Sequence, residues 1–279
     1  MQSDESTILY HYTDFCALDG ILGHAELRLN NVLNMNDAAE MNFFMGALCK
    51  TVVSRFQNNG KEKKARLTGE LFLKEQKNRF SYSAYAACFS RYRDDAAQWE
   101  RYGNRGRGVC IAFQEQLLER MATGALSLQS VQYQNQIETN RLVDELYQVL
   151  DRMEEADDQD PELRKVLNQA WVASAAYKHP SFSSENEVRL VVSPFEQEYF
   201  DVIPRYHISR DRIKKYYPLD LERMCRYMHT TMEALIPELI IGPESTQSLP
   251  ILQDYLQSLG YDTLADHISH SDCPLRRPL

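Results

Sequence analysis

Residues 177–192 read YKHPSFSSENEVRLVV, and this stretch decides how the rest of the chain is interpreted. Its second part, Glu187 to Ser193, is rich in β-branched and apolar residues and predicts a strand. Glu185 and Glu187 are two residues apart, so in an extended chain they lie on one face, which Arg189 continues. Two carboxylates and a guanidinium on one face are costly to bury without a purpose. The stretch is therefore either a functional site or an exposed strand face with a glutamate–arginine pair.

Outward from this strand, strand and helix patterns follow each other without a regular βαβ order, which favours an α+β fold. Thr13 is the expected N-cap of the first helix, and Asp37 with Glu40 resembles a capping box. We predict a single domain over residues 1–279, with helical insertions near 37–80 and 136–177. The other strands are expected near 8–12, 27–31, 85–90, 109–113, 126–133, 200–206, 239–241 and 261–268. The other helices are expected at 17–22, 94–102, 220–235 and 246–259.

Composition narrows the class of protein. The chain has 31 Lys and Arg against 40 Asp and Glu, a net charge of −9, which disfavours broad nucleic-acid binding but leaves room for a local basic patch. Residues 1–7 lack the basic and apolar regions of a signal peptide, and no apolar run is long enough for a membrane span. The six cysteines are scattered and never in C-x-x-C spacing. We therefore expect a cytoplasmic protein with reduced thiols.

A histidine opens the first candidate site. His11 lies inside the strand LYHYT (residues 9–13), where its ring can present a nitrogen to a ligand hydroxyl. Asn36 and Asp37 belong to the same group of polar residues. The alternative is a buried histidine bonded to backbone, with Thr13 and Asp37 only capping helices.

The second candidate site runs from Cys88 to Gly108. Trp99 and Tyr102 are three residues apart on a predicted helix, so both can face one side and stack on a flat heterocycle. The nearby arginines, Arg91 among them, can meet phosphates. The glycine-rich turn matches neither a P-loop nor a Rossmann fingerprint. The alternative is a simple glycine turn with Trp99 in the core.

Other motifs are weaker. His267, His270 and Cys273 have a spacing that metal ligands use, but a fourth ligand is not recognisable and a polar tail is the better interpretation. Cys88 and Ser90 are conceivable nucleophiles without an adjacent base. G-x-S-x-G and H-E-x-x-H are absent from the sequence. We predict no metal site.

Several motifs together resemble a widespread bacterial family known only as a domain of unknown function. The resemblance extends over nearly the whole chain and implies no reaction. The motifs are LYHYT (9–13), NMNDAAE (34–40), CFS (88–90), WERYG (99–103), GVCIAF (108–113), YKHPSFSSENEVRLV (177–191), IIGP (240–243) and SDCPLR (271–276).

A more distant resemblance is to ADP-ribosyltransferase folds, and it rests on the H-Y-T strand followed by a helix and on a late strand with Glu185 and Glu187. It implies a split, mostly antiparallel sheet around an NAD-sized cleft. His11 would contact a ribose of NAD, an aromatic residue would stack on nicotinamide, and Glu187 would complete the site. The usual Ser-Thr-Ser or Tyr-Tyr signature is not identified, so whether Tyr12, Tyr102 or Trp99 stacks is left open. The implied catalytic residues are Glu187, Glu185 and His11, and the implied NAD-binding residues are Tyr12, Thr13, Arg28, Asn36, Asp37, Ser90, Arg91, Trp99, Tyr102 and Arg189.

The function that the resemblance implies is NAD-dependent ADP-ribosyl transfer or NAD hydrolysis, as a bacterial toxin or anti-phage effector. NAD would be the substrate, no metal is expected, and the acceptor is open. The first alternative is a nucleotide-sensing or regulatory module without chemistry. The second is a metal-dependent hydrolase or nuclease that uses Glu185, Glu187 and Asp37 as ligands. The third is an interaction protein that presents its charged helices to a partner.

Overall fold

The computed structural model describes residues 7–34, 39–77, 84–133, 141–154, 159–192, 202–208 and 212–275. The strands are β1 (Ile8–Thr13), β2 (Glu26–Asn31), β3 (Tyr85–Ser90), β4 (Val109–Gln114), β5 (Leu126–Ser130), β6 (Gln132–Tyr133), β7 (Tyr177–Lys178), β8 (Glu187–Val192), β9 (Arg205–Ile208), β10 (Ile213–Asp220), β11 (Glu238–Ile241) and β12 (Ile268–His270). The helices are α1 (Phe15–Leu22), α2 (Ala39–Asn58), α3 (Glu62–Lys77), α4 (Ala96–Arg101), α5 (Glu115–Met121), α6 (Arg141–Arg152), α7 (Pro161–Ser174), α8 (Leu221–Tyr227), α9 (Met232–Leu235), α10 (Leu249–Ser258) and α11 (Asp262–Ala265). Two 3₁₀ helices lie at Val32–Asn34 and Pro180–Glu185.

One large, mostly antiparallel sheet organises the molecule. Its main path runs β12-β11-β4-β1-β3-β2-β10-β9, and β8 pairs with β3 on one side and with β5 on the other. Within this sheet the β11–β12 pair is parallel, and β6 and β7 form a separate parallel pair. The predicted α+β class with a mostly antiparallel sheet is confirmed.

The sheet divides at β3. One edge of β3 pairs along its whole length with β8. The opposite edge is shared, because β1 pairs only at Ser90 and β2 pairs only at Tyr85 and Ala86. Strands β1 and β2 therefore separate from each other over the middle of β3, and the sheet is split at that point.

Successive side chains of a strand point to opposite faces of the sheet, and each face packs into its own apolar cluster. Leu9, Phe89, Phe113 and Leu190 belong to the cluster that includes α1 and the C-terminal helices α8 to α11. Ala86 and Val191 belong to the other cluster, which α2, α3, α6 and α7 complete. In the described part of the chain, helices therefore pack against both faces of the sheet.

Local capping explains several helix boundaries. The side chain of Asp14, at the end of β1, accepts a hydrogen bond from the Ala17 amide at 2.8 Å, so Asp14 and not the predicted Thr13 caps α1. Asp160 accepts from two amides at the start of α7, where Pro161 occupies the first turn. Residues 35–38, with the predicted cap Asp37, lie outside the described residues.

The structure corrects three elements of the prediction and adds two. Residues 261–268 are not a strand, because 262–265 form α11 and β12 begins only at Ile268. The helix expected over 220–235 is two short helices, α8 and α9, separated at His229, which has a φ of 55°. The strand expected at 200–206 is observed at 205–208. Helix α5 and strand β10 were not expected.

Two further predictions concern thiols and membranes. All six cysteines lie in the described part of the chain, and each is a thiol outside any disulfide. Each helix in the described part of the chain is too short or too polar to cross a lipid bilayer.

Candidate functional site

The split in the sheet opens into a cavity of about 870 Å³. Residues from β1, α1, β2, β3, α4, β8 and the β9–β10 pair line it, together with the 3₁₀ helix Pro180–Glu185. This volume lies in the upper part of the usual range for small-molecule sites, about 300–1,000 Å³. It is large enough for a dinucleotide.

His11 occupies the split itself. Its Nδ1 lies 2.8 Å from the carbonyl oxygen of Cys88, in the part of β3 that β1 and β2 leave unpaired. Because a carbonyl only accepts, Nδ1 carries the hydrogen and Nε2 is the acceptor nitrogen of the neutral ring. Burial lowers the pKa of His11, although the bond to the Cys88 carbonyl opposes that effect. His11 therefore lines the cavity as a neutral ring that can accept a hydrogen bond from a hydroxyl.

Glu187, the first residue of β8, is held by two cations. Arg189 lies on the same face and donates through Nε and Nη2 to the two carboxylate oxygens, both at 2.9 Å. Lys178 Nζ lies 2.9 Å from Oε2. Burial alone would raise the pKa of Glu187, but the charges of Arg189 and Lys178 outweigh it and lower the pKa to about 2. Glu187 is therefore ionised throughout the physiological pH range.

Glu185 is not in the strand, although the sequence placed it at the strand's entrance. It ends the 3₁₀ helix, and Asn186, in the left-handed conformation at φ 42° and ψ 56°, turns the chain into β8. Glu185 Oε2 accepts a hydrogen bond from Lys178 at 2.6 Å. Glu185 Oε1 accepts from Arg101 at 2.7 Å and from the Tyr102 hydroxyl at 3.1 Å. The two glutamates thus meet at Lys178 by a turn and not by strand periodicity.

The cavity is electropositive in an acidic protein. Six Lys and Arg residues line it against four Asp and Glu residues, an excess of two positive charges, whereas the whole chain carries −9. Arg28, Lys214 and Lys215 lie at the end formed by β2 and β10. Arg28 packs over the Tyr216 ring at 4.9 Å and contacts Glu26 at 3.3 Å. This charge balance suits an anionic ligand and disfavours a divalent cation.

Four other predicted residues line the cavity: Tyr12, Thr13, Ser90 and Tyr102. The Tyr12 hydroxyl donates to the Tyr92 carbonyl at 2.7 Å and accepts from the Asp95 amide at 3.1 Å. The Ser90 hydroxyl donates to the Glu185 carbonyl at 3.0 Å. Burial raises the pKa of both tyrosines, so both phenols stay neutral. Tyr12 and Ser90 are thus bonded to the protein backbone, and the Tyr102 hydroxyl is bonded to the Glu185 carboxylate.

Two predicted residues are placed elsewhere. Trp99 is completely buried, packs edge-on against Tyr12 at 4.8 Å and donates from Nε1 to Asp94 at 2.6 Å, so it does not reach the cavity. Tyr102 is the C-cap residue of α4 and packs against the apolar cluster that contains Trp99. Arg91 forms a two-pronged pair with Glu115 at 3.0 and 2.7 Å and is not among the cavity residues. Asn36 and Asp37 lie outside the described residues.

Lys178 and Arg101 are two of the site residues that sequence reasoning did not select. Lys178 stands within the stretch YKHPSFSSENEVRLVV, and Arg101 precedes Tyr102. The signal that was available is the pairing rule for buried charge, because two buried glutamates require more positive charge than Arg189 supplies. Nothing in the spacing of residues indicated which cations would supply it.

The weaker candidates have structural roles. Cys88 is a buried thiol whose pKa is raised well above its usual value by burial and by the neighbouring Glu187, so it is not an activated nucleophile. His267 bonds the Thr263 carbonyl through Nδ1 at 2.7 Å. Within the part of the chain that the structure describes, three or more metal-binding side chains are nowhere grouped closely enough to hold an ion.

The comparisons with known proteins agree with one of the two resemblances. Residues 98–190 match the family model described as "Protein of unknown function (DUF2971)". The predicted resemblance to a family of unknown function is confirmed for this segment, which contains Lys178, Glu185, Glu187 and Arg189. His11 lies outside it. No curated protein and no solved structure matches the chain.

Proposed function

We propose that the protein cleaves NAD, either transferring ADP-ribose to an acceptor or hydrolysing the dinucleotide. The observation that carries the proposal is the split of β1 and β2 from β3, which opens a cavity of about 870 Å³ with His11 and the Lys178-bound glutamates on its wall. The distant ADP-ribosyltransferase resemblance adds support from the order of these residues along the chain.

The charges of the cavity suit NAD. The pyrophosphate would lie toward Arg28, Lys214 and Lys215, where cations can pair with phosphate oxygens. Neutral His11 would accept a hydrogen bond from a ribose hydroxyl through Nε2. Tyr102 would pack against the nicotinamide ring.

Cleavage of NAD requires a negative charge beside the ribose. When the bond between nicotinamide and ribose breaks, its electron pair leaves with neutral nicotinamide and positive charge develops on the sugar. An ionised Glu187 stabilises that oxocarbenium-like state, as carboxylates do in glycoside cleavage. Glu185 orients the acceptor and takes up its proton as the acceptor forms the new bond to the anomeric carbon. Toxin or anti-phage activity would be the biological setting, and it is supported by resemblance alone.

The decisive experiment follows nicotinamide release by mass spectrometry from purified protein and NAD, with and without cell lysate. We expect release by the wild type and a loss of at least about 100-fold in Glu187→Gln, the usual effect of removing one such charge-stabilising group. Glu115→Gln is the matched control, because Glu115 is also a buried carboxylate paired with an arginine, Arg91, but lies outside the cavity. Turnover that survives in Glu187→Gln contradicts the proposal.

The second candidate is a nucleotide-sensing module in the same cavity. The observation in its favour is that both glutamates already accept hydrogen bonds from protein cations, Arg101, Lys178 and Arg189, as a purely structural network would. Binding of NAD without any release of nicotinamide, in folded protein, decides for this candidate.

A further inference from the structure

We propose that Lys178 is a positioning residue that holds the carboxyl groups of Glu185 and Glu187 side by side at one end of the cavity. This inference rests on the proposed function for its catalytic meaning but is testable without it. It assigns a role to a residue that neither the family match nor the ADP-ribosyltransferase resemblance singles out.

Lys178 contacts both glutamates at once. Lys178 Nζ lies 2.6 Å from Glu185 Oε2 and 2.9 Å from Glu187 Oε2. Because both oxygens contact the same nitrogen, they lie at most about 5.5 Å apart, the two distances placed end to end. The exposed fractions of the three side chains are 4%, 3% and 9%, so water does little to screen the carboxylates from each other.

Two other cations, Arg189 and Arg101, contact the glutamates at other points. Arg189 donates to Glu187 through Nε and Nη2, and its Nη1 donates to the Ala175 carbonyl at 2.8 Å. Arg101 contacts Glu185 and its side chain is 45% exposed, so solvent screens it. Lys178 is thus the cation that joins the two carboxylates. Its flexible stem lets one ammonium group contact an oxygen of each glutamate.

The backbone holds Lys178 in place. It lies in β7 directly opposite Tyr133 of β6, and the Tyr133 hydroxyl accepts from the Glu187 amide at 2.8 Å. On the other side, the Phe182 ring, which lines the cavity, is 5.6 Å from Nζ. The ammonium therefore lies between the start of β8 and the 3₁₀ helix, at the wall of the cavity.

Two carboxylates this close normally repel, so that one of them takes up a proton at higher pH than an isolated carboxylate does. A single cation between them removes that effect. If Lys178 has this role, its loss gives the glutamate pair a proton in the range where the proposed reaction needs both charges. The titratable and charged groups that face the pair are Cys88, Arg101, Tyr102, Tyr133, Lys178 and Arg189, with His11 joined to Cys88 through its carbonyl.

The test compares wild type, Lys178→Met and Lys178→Arg. Carboxyl carbons of ¹³C-labelled glutamate are titrated by NMR without substrate, and the Glu185→Gln and Glu187→Gln proteins assign the signals. We expect wild type and Lys178→Arg to give the same titration curves, whereas in Lys178→Met one carboxylate takes up a proton at least about one pH unit higher than in wild type. Nicotinamide release by Lys178→Met then falls on the acid side at the same raised pH, because the protonated carboxyl no longer stabilises the sugar cation.

Identical titration curves in wild type and Lys178→Met overturn the inference, and so does a Lys178→Arg protein that titrates like Lys178→Met. If Lys178→Met does not fold by circular dichroism, Lys178→Gln, which removes the charge but keeps a donor, makes the same comparison. A shifted titration in a protein that releases no nicotinamide contradicts the proposed function and supports the role of Lys178. Nicotinamide release together with an unshifted titration contradicts the role proposed for Lys178 and supports the proposed function.

Discussion

Burial and charge oppose each other at Glu187. The residue is 8% exposed, so desolvation disfavours its charge, yet Arg189 and Lys178 lower its pKa to about 2. At His11 the dominant effect is burial, which lowers the pKa of the ring and favours its neutral form. The site therefore combines a permanently charged acid with a neutral base, both set by what surrounds them.

The lowered pKa of Glu187 predicts that the free energy of unfolding depends on pH. Its pKa is lower in the folded chain than the value of about 4.3 expected for an unfolded chain, so ionised Glu187 stabilises the fold above that value, and the contribution is lost as pH falls toward 2. A difference of about two pKa units corresponds to about 3 kcal/mol. Denaturant unfolding of wild type and Glu187→Gln should differ most above about pH 5 and converge toward pH 2.

The control is Glu70→Gln on α3, where the carboxylate is 59% exposed and pairs only with Arg66 on the same helix in the described contacts. An exposed pair of this kind contributes little, so its stability difference should stay small at every pH. A Glu187→Gln difference that does not change with pH would show that the lowered pKa is not linked to folding.

At the scale of elements, helix α4 positions two site residues although it is only six residues long. Asp95 caps its start by accepting from the Gln98 amide at 2.9 Å. Its buried Trp99 fixes the helix to β1 through Tyr12, and this leaves Arg101 and Tyr102 at the cavity. Gly103 makes that packing possible, because a Cβ there would lie 2.4 Å from Cε3 of the Trp99 ring.

Gly103→Ala should therefore force Trp99 or the backbone to move, at a cost of about 1–3 kcal/mol in unfolding free energy. Gly69→Ala is the matched control, because nothing lies within 4 Å of a Cβ at that position in α3. In a helix interior this change is expected to stabilise by about 0.5–1 kcal/mol. Chemical denaturation measures both, and equal effects of the two substitutions would contradict the role given to Gly103.

At the scale of the molecule, the sheet brings together residues from distant parts of the chain. The cavity draws on β1 near the N-terminus, on the family-matched segment 98–190 and on the β9–β10 pair. Its excess of positive charge contrasts with the net charge of −9 of the whole chain. An anionic ligand is therefore favoured in the cavity more than the net charge of the whole chain would indicate.

NAD binding in this cavity should raise the thermal midpoint of the folded protein. At a free NAD concentration 100 times Kd, the stabilisation is about 2.7 kcal/mol. With roughly 2–4 °C per kcal/mol for chains of this size, the midpoint rises by roughly 5–11 °C. Differential scanning fluorimetry measures it, and the combined Lys214→Glu and Lys215→Glu protein should show a smaller rise.

The combined Lys50→Glu and Lys74→Glu protein is the control, because both lysines are exposed on helices outside the cavity and the change of charge is the same. If the two double variants reduce the shift equally, the effect is one of net charge and not of the cavity. No shift with millimolar NAD would contradict nucleotide binding by any mechanism proposed for this cavity.

The sequence by itself determined the local elements whose signals lie within a few residues. The strand at 85–90 was predicted with its observed bounds, and β8 began at Glu187 as expected, because runs of apolar and β-branched residues specify buried strands without further context. The same stretch identified Glu185, Glu187 and Arg189 as unusual, because burying such charges without partners is costly. Recognition of the family of unknown function also came from the sequence.

Only the tertiary structure decided where the sheet branches and which groups meet. β10 contains Pro218 and two lysines and has weak strand character of its own; its assignment depends on pairing with β2. The four residues of α11 are likewise too few for their pattern to distinguish helix from strand. The split at β3 and the meeting of Lys178 with two glutamates depend on contacts between residues distant along the chain or reversed by the Asn186 turn, and no local pattern encodes them.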